Sequence, residues 1–342
     1  MELDIENHRQ LKQYLADTGR ADATEIISVQ NLVGGVSNRT VLLHFRAGHG
    51  WVVKQALEKL RVAVDWFSDP QRIHREALGI EHLYDLAPVG SITPLVFEDE
   101  ENYILAMEEV PQPHANWKTL LLHEPVRESD VRQFADLLAA IHCGAWQRRS
   151  ELQPIFDESC YFESLRLEPY YAFAAEQVPA AAPFLSELIA QTRTQKLTLV
   201  HGDYSPKNIL KYQERLVLLD HEVIHWGDPA FDVGFSLTHL LSKAHHLKAR
   251  RNEFAQAALF YWQRYYEQLG QMPWQAELEA RAVRHTLACL LARVAGRSLL
   301  EYLDDTQRKI QREVVVGLMQ RPPLQISTLV DEFTGALPDV DY

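Results

Sequence analysis

The chain has 342 residues, of which 46% are hydrophobic and 24% charged, and a formal net charge of −13. That length suggests about two domains or lobes, and the composition excludes disordered, collagen-like and disulfide-scaffold chains. The acidic balance argues against a nucleic-acid partner, because coating a phosphate backbone takes clustered Lys and Arg.

The first third reads as short strands. Glu25 to Val33 is a strand-like run ending at Gly34-Gly35. Thr40 to Phe45 and Trp51 to Leu57 are β-rich runs separated by the turn Ala47-Gly48-His49-Gly50. Pro70 to Leu86 has Ile73, Ala77, Ile80 and Leu83 at helical spacing, with Pro70 suited to the first turn. Two more strands, Ser91 to Phe97 and Tyr103 to Met107, flank a turn at Glu98 to Asn102. Glu109 to Asn116, with Pro111 and Pro113, reads as a linker. Helical patterns follow at Ser129 to His142, Glu158 to Ala175 and Ala182 to Thr194, and resume from Phe231 onward. Between them, the apolar runs Leu197 to Val200 and Leu216 to Leu219 flank a polar segment, His201 to Asn208. The expected fold is α+β, with a small β-rich lobe over residues 1–109 and a larger, mostly helical lobe over 110–342.

The polar segment carries the chemistry. In His201-Gly202-Asp203-Tyr204-Ser205-Pro206-Lys207-Asn208, Gly202 and Pro206 shape the loop sharply. Farther on, Asp220 ends the run Leu218-Leu219. Two strand ends side by side would gather Asp203, Asn208 and Asp220 into one cluster. Asn208 and Asp220 offer hard oxygen ligands suited to Mg²⁺, which leaves Asp203 to accept a proton from an attacking hydroxyl. This is the arrangement of a kinase catalytic loop in altered form, with HGD in place of HRD and Asp220-His221-Glu222 in place of DFG.

HGDxxxxN, then D-x-E, then Gly227-Asp228-Pro229-Ala230-Phe231-Asp232 resembles the aminoglycoside phosphotransferase and choline kinase superfamily of small-molecule kinases. The resemblance covers nearly the whole chain and implies a protein-kinase-like two-lobed fold. It implies ATP and Mg²⁺ as cofactors, Asp203 as the catalytic base, and Asn208 and Asp220 as metal ligands. By the same resemblance, Lys54 in Trp51-Val52-Val53-Lys54 binds the nucleotide phosphates and Glu76 is its ion-pair partner. Read alone, Lys54 is a residue of a solvated strand face. Gly35, Ser37 and Asn38 stand where the phosphate-covering loop is expected, although the strict G-x-G-x-x-G pattern is absent and a plain hairpin turn fits the same residues. Met107 and Glu108 fall at the hinge that reads adenine, or in an ordinary edge strand. His201 and Asp232 are expected to support the loop, with a helix cap as the alternative for Asp232.

Two other readings compete. One is a nucleotide-binding pseudokinase without transfer. The other is a zinc hydrolase, because His221-Glu222-Val223-Ile224-His225 matches H-E-x-x-H. That motif needs a helix, and the strand-like run before it and Gly227 and Pro229 after it leave no room for one. The acceptor is expected to be a small molecule bearing a hydroxyl group. Asp157, Glu158, Glu163 and Glu168, with Tyr161, Phe162, Tyr170 and Tyr171, suit a cationic one by charge and cation–π attraction, or form a solvated acidic helix face. Related kinases act on methylthioribose, homoserine and fructosamine-type sugars. The cysteines Cys143, Cys160 and Cys289 are widely spaced and expected to be free thiols in a reducing compartment. The polar N-terminus and the Arg-interrupted stretch Thr286 to Gly296 point to a cytoplasmic chain with no membrane partner. Oligomeric state is not legible.

Overall fold

The structure, a computed structural model, describes residues 3–33, 35–62 and 65–338, so Gly34 lies outside the described residues. Asn7 opens the first helix, α1 (His8–Asp17), by accepting the Gln10 N–H at its side-chain oxygen. Leu11, Tyr14 and Leu15 form its buried stripe. That three-four spacing was open to sequence reading, and the helix was not among the expected elements.

Five antiparallel strands follow: β1 (Ile26–Asn31), β2 (Asn38–Phe45), β3 (Gly50–Ala56), β4 (Leu95–Asp99) and β5 (Ile104–Glu108), in the sheet order β1-β2-β3-β5-β4. The two-residue period decides what each strand does. In β5, Ile104 and Ala106 pack toward α1, while Leu105 and Met107 join the larger core with α2 (Arg72–Leu86). In β3, Val53 faces α1, and Val52, Lys54 and Ala56 face the other side. The sheet thus delivers Lys54 to the inner face of the lobe. Pro70, expected inside the first turn of α2, stands ahead of it and accepts the Ile73 N–H at its carbonyl. Ser91 to Pro94 is not strand. Ile92 makes one parallel bridge to Leu218, and Pro94 has no N–H to extend a ladder.

The larger part is mostly helical: α3 (Trp117–His123), α4 (Glu128–Gln147), α5 (Arg149–Phe156), α6 (Cys160–Phe162), α7 (Phe173–Gln177), α8 (Ala182–Thr194), α9 (Pro229–His246), α10 (Arg251–Gln268), α11 (Leu278–Ala295), α12 (Asp305–Gln320) and α13 (Ile326–Gly335). A π-helix, Glu163–Ala172, joins α6 to α7. Pro169 inside it lacks an N–H, which removes one ordinary helical hydrogen bond. Helix α9 is buried on every side from Pro229 to His245. Gly234 lets α11 approach it, because a Cβ there would meet the His285 Cβ at 2.6 Å. No described helix is long and apolar enough to cross a membrane. The three cysteines are free.

Short strands punctuate the helices: β6 (His114–Asn116), β7 (Thr198–Val200), β8 (Ile209–Tyr212), β9 (Arg215–Leu218) and β10 (His225–Gly227). The flanking runs of the polar segment do not pair with each other as expected. β7 pairs with β10, while β8 pairs with β9 and β6. A tight turn at Gln213 (φ 55°) closes β8 onto β9, and this local pairing wins over the longer one.

Phe134 of α4 ties this region to the helical core. It stacks on Tyr204 at 4.4 Å between ring centroids and tilts against Trp117 at 4.8 Å. The Tyr204 hydroxyl donates to the Phe134 carbonyl at 2.7 Å. Phe134→Ala should cost about 3–5 kcal/mol through lost burial and a residual cavity. Urea unfolding followed by intrinsic fluorescence reads this as a lower midpoint at unchanged slope.

Candidate active site

The loop after β7 is pinned before it presents any chemistry. Gly202 has φ 77°, and a Cβ there would stand 2.9 Å from Val223 Cγ2, so only glycine turns the chain at this point. The Asp232 carboxylate, fully buried in the first turn of α9, accepts the His201 N–H at 2.7 Å and the Gly202 N–H at 2.8 Å. It also meets His142 Nε2 at 3.2 Å. The helix cap is the neighbouring Asp228, which accepts the Ala230 N–H at 3.0 Å. Asp232 is thus a loop brace. Burial alone would raise its pKa, but His142, His201 and the Gly202 N–H outweigh that and hold it below the ordinary carboxylate value. His201 meets His221 ring to ring at 3.1 Å, and burial lowers the pKa of both.

The pinned loop presents Asp203, only 6% exposed. Its Oδ2 accepts from Asn208 Nδ2 at 2.6 Å and pairs with Arg166 Nη2 at 2.8 Å. Among the described residues no hydrogen bond ends on Asp203 Oδ1, and none ends on Asn208 Oδ1. One oxygen of each side chain is held in place while the other is left open.

Lys54 crosses from the sheet to this loop region. Its Nζ lies 2.6 Å from Glu76 of α2 and 3.2 Å from Asp220. Burial pushes the Lys54 pKa down, but Glu76 and Asp220 more than reverse this and keep it charged. Burial likewise raises Asp220, but Lys54 and Lys207 outweigh that and hold it below the usual range. Asp220 sits in the left-handed region at φ 70°, which Asp tolerates better than most residues and which re-aims its carboxylate. Glu222 is gripped from the small lobe, by Arg72 Nε at 3.1 Å and by Asn38 Nδ2 at 3.3 Å. Glu76, Asp220 and Glu222 place carboxylate oxygens within 4.8 Å of one another. Burial raises the Glu76 pKa and Lys54 lowers it in part, so that the carboxyl stays above its usual range. Three carboxylates thus share two cations, Lys54 and Arg72. With the free oxygen of Asn208 nearby in the chain fold, this is a donor set of hard oxygens that fits a Mg²⁺-sized cation.

Two cavities adjoin these groups. A slot of about 210 Å³ is lined by Val52, Lys54, Met107, Glu108, Val110 and Leu219, among others. Met107 and Glu108 therefore line it, but the Glu108 N–H is already donated to the Pro94 carbonyl at 3.0 Å. Among the described residues the Val110 N–H donates to nothing, so the open backbone donor beside this slot is on Val110 and not on Glu108. The larger cavity, about 330 Å³, is lined by Gly35, Ser37, Asp203, Asp220 and Glu222 and extends to Tyr170 and Arg293. Ser37 is buried, and its carbonyl accepts from Leu57 N–H and Arg72. Asn38 faces Glu222, and so ties the loop to the D-x-E segment.

The match to H-E-x-x-H does not make a metal site. His221 to Ile224 is not helical. His225 turns away, bonds the Val223 carbonyl at 3.0 Å and stacks on Phe162 at 4.0 Å. The acids expected to attract a cationic acceptor are also engaged elsewhere. Asp157 pairs with Lys196, Glu158 with Arg75, Glu163 with Arg193 and Glu168 with Arg297, and none lines the cavity. Of the four aromatics only Tyr170 does.

Comparison with known proteins identifies the family and the fold. Residues 28–270 match the model of the phosphotransferase enzyme family, APH. The chain belongs to this family. Its activity is therefore that of a phosphotransferase. No curated protein matches it in sequence. Its fold is similar to that of a choline kinase from Streptococcus pneumoniae, with a TM-score of 0.55 at 16% identity over 92% of this chain and 98% of that one. A putative fructosamine-3-kinase from Thermobifida fusca gives 0.54 at 16% identity over 91% and 99%. A macrolide 2'-phosphotransferase from Brachybacterium faecium gives 0.53 at 18% identity over 92% and 98%. The phosphotransferase has the two-lobed, protein-kinase-like α+β fold of these enzymes.

Sequence reasoning missed Arg72, Arg166 and Val110. Arg72 follows Pro70 and Gln71 with no periodic signal, and Arg166 stands in a helix whose acids drew the attention. Fully buried arginines are rare, but burial of a charged side chain is not readable from one sequence.

Asp232→Asn keeps the shape and removes the charge that two backbone N–H groups share. The loss should be about 1.5–3 kcal/mol at neutral pH, the range for hydrogen bonds to a charged group. Because the folded pKa is depressed, the Asp232 contribution is complete above the unfolded value of about 4 and is lost as pH falls through the folded value. Urea midpoints of parent and variant should stay separated from pH 5 to 8 and converge below about pH 4.

Proposed function

We propose that this phosphotransferase moves the terminal phosphoryl group of ATP to a hydroxyl of a small molecule. The observation that carries the reading is that Lys54, Asp220 and Asp203 belong to one connected site, with the 210 Å³ slot on the sheet side and the 330 Å³ cavity beyond. The slot suits adenine: it is apolar, and it offers the free Val110 N–H. Lys54, kept charged by Glu76, holds the phosphates, and Gly35 and Ser37 line the space that the triphosphate crosses. Asn208 Oδ1 and Asp220, with Glu222 close by, would hold Mg²⁺, which neutralises charge on the transferring phosphoryl group.

The acceptor hydroxyl then faces Asp203 Oδ1. Arg166 and Asn208 occupy the other oxygen and fix the plane of the carboxylate. As the hydroxyl oxygen bonds to phosphorus and the bridging oxygen of ATP leaves with ADP, Asp203 takes the proton. Most of the acceleration comes from positioning and from charges fixed in advance. The two lobes, divided near residue 109, contribute the nucleotide side and the acceptor side respectively.

Asp203→Asn should lower kcat by roughly 10²- to 10⁴-fold, the usual weight of a general base, and leave the ATP dissociation constant within about twofold. Lys54→Met should instead weaken ATP binding. ADP release coupled to a panel of alcohols, with Mg²⁺ and after its chelation, measures the first effect, and equilibrium titration with ATP measures the second. Full turnover in Asp203→Asn would overturn the assignment. Nucleotide binding without turnover on any alcohol would favour the pseudokinase reading.

A further inference from the structure

The larger cavity carries a charge pattern beyond what phosphoryl transfer needs. Among the described residues, each carboxylate that lines it already holds a cation. Asp203 pairs with Arg166, Asp220 with Lys54, Glu222 with Arg72 and Glu301 with Lys118. Among the described residues two lining cations form no ion pair, Lys207 and Arg293, although Glu301 lies within electrostatic reach of Arg293. Lys207 is exposed and lies near Asp220, where the phosphates of a nucleotide would pass. Arg293 is different.

Arg293 is 7% exposed, in the last turn of α11. Its Nη1 donates to the Tyr170 hydroxyl at 2.9 Å and to Ser298 Oγ at 2.8 Å, both neutral acceptors. Its Nε is buried with no partner. A guanidinium cannot shed its proton, so burial without an anion is costly wherever no ligand supplies one. Tyr170 links this group to the transfer site, because the Arg166 and Arg293 guanidiniums each lie 5.6 Å from its ring centroid. His239 lines the same cavity, 2% exposed, and neither ring nitrogen has a partner. Lys118, Lys243 and Arg293 share these surroundings with Glu301, whose charge acts on Lys243 and on Arg293. Burial, then repulsion from Lys118, pushes the neighbouring Lys243 down to about 7, and burial with the nearby Arg293 and Lys243 keeps His239 neutral. A neutral imidazole offers one donor and one acceptor, which suits polar groups on a ligand.

We infer that the acceptor is an alcohol that also carries an oxyanion group, a carboxylate or a phosphate, received by Arg293 with His239 beside it. This rests on the reading of the cavity as the acceptor site. It differs from the cationic acceptor that the sequence also suited, since Asp157, Glu158, Glu163 and Glu168 pair with cations outside this cavity. A quaternary ammonium or polyamine would instead bring a like charge to a buried guanidinium.

The test titrates the whole protein with glycerate, glycerol 3-phosphate and glycerol, with and without a non-hydrolysable ATP analogue and Mg²⁺. Both anions, or one of them, should bind with Arg293-dependent affinity, and glycerol should bind measurably weaker. Binding of one anion alone identifies the group as carboxylate or phosphate. Arg293→Gln should weaken anion binding about tenfold or more, since it loses a charge-assisted, two-pronged contact. Its melting curve and its affinity for the ATP analogue report whether it has folded. If it has not, Arg293→Lys takes its place and should bind more weakly than the parent, because an ammonium lacks the planar fork. Anions that bind no better than glycerol, or equally well to parent and variant, overturn the inference. Failure of the ATP analogue to bind would overturn the proposed function instead, and leaves the Arg293 comparison to be read without it.

Discussion

A single buried carboxylate holds the loop after β7 in shape. Asp232 belongs to α9, the helix enclosed by the rest of the larger part, and its two oxygens collect the His201 and Gly202 N–H groups. Two consecutive backbone donors converging on one side chain leave little freedom in the turn that follows. The left-handed glycine, the Tyr204 stack on Phe134 and the Asn208 bond to Asp203 all start from that fixed point. The anchor is costly to bury and is therefore fully hydrogen-bonded, as a charge in a low-dielectric interior must be.

From that anchor the lobes are joined by charge. Lys54 ties the sheet to α2 through Glu76 and to the larger part through Asp220, while Arg72 and Asn38 reach across to Glu222. These contacts are buried, so salt screens them weakly. The carboxylates outnumber the cations that serve them, and a divalent cation would supply the missing positive charge. Nucleotide binding and the relative position of the lobes are then two aspects of one electrostatic arrangement.

Much of the site was legible because its residues are sequence neighbours. Asp203 and Asn208 are presented by one loop, and Asp220 by the strand end that follows its hairpin. Lys54 was legible from position and resemblance, and the parity of β3 explains why it faces inward. What the sequence hid came from distant segments. Arg72, Arg166 and Arg293 reach the site from three helical segments; the first two look like ordinary surface arginines in a linear reading, and Arg293 reads only as a break in an apolar stretch. The strand pairing was hidden too, because an apolar run does not name its partner and the local hairpin outcompeted the longer pairing. The acidic stretch around Glu158 to Glu168 misled for the converse reason: composition reports charge, but not the basic neighbour that has already claimed it.

The π-helix has one more consequence. Arg166 and Tyr170, four residues apart in it, line the same wall, so under the proposed function one segment both seats the transfer loop and shapes the acceptor's surroundings. On that reading, selectivity and turnover are not modular in this chain. Exchanging residues 160–177 with those of a relative, to borrow its choice of alcohol, would also exchange the arginine that aligns Asp203. Natural divergence would meet the same coupling, with new acceptors reached more readily through α11 and the segment after it than through this helix.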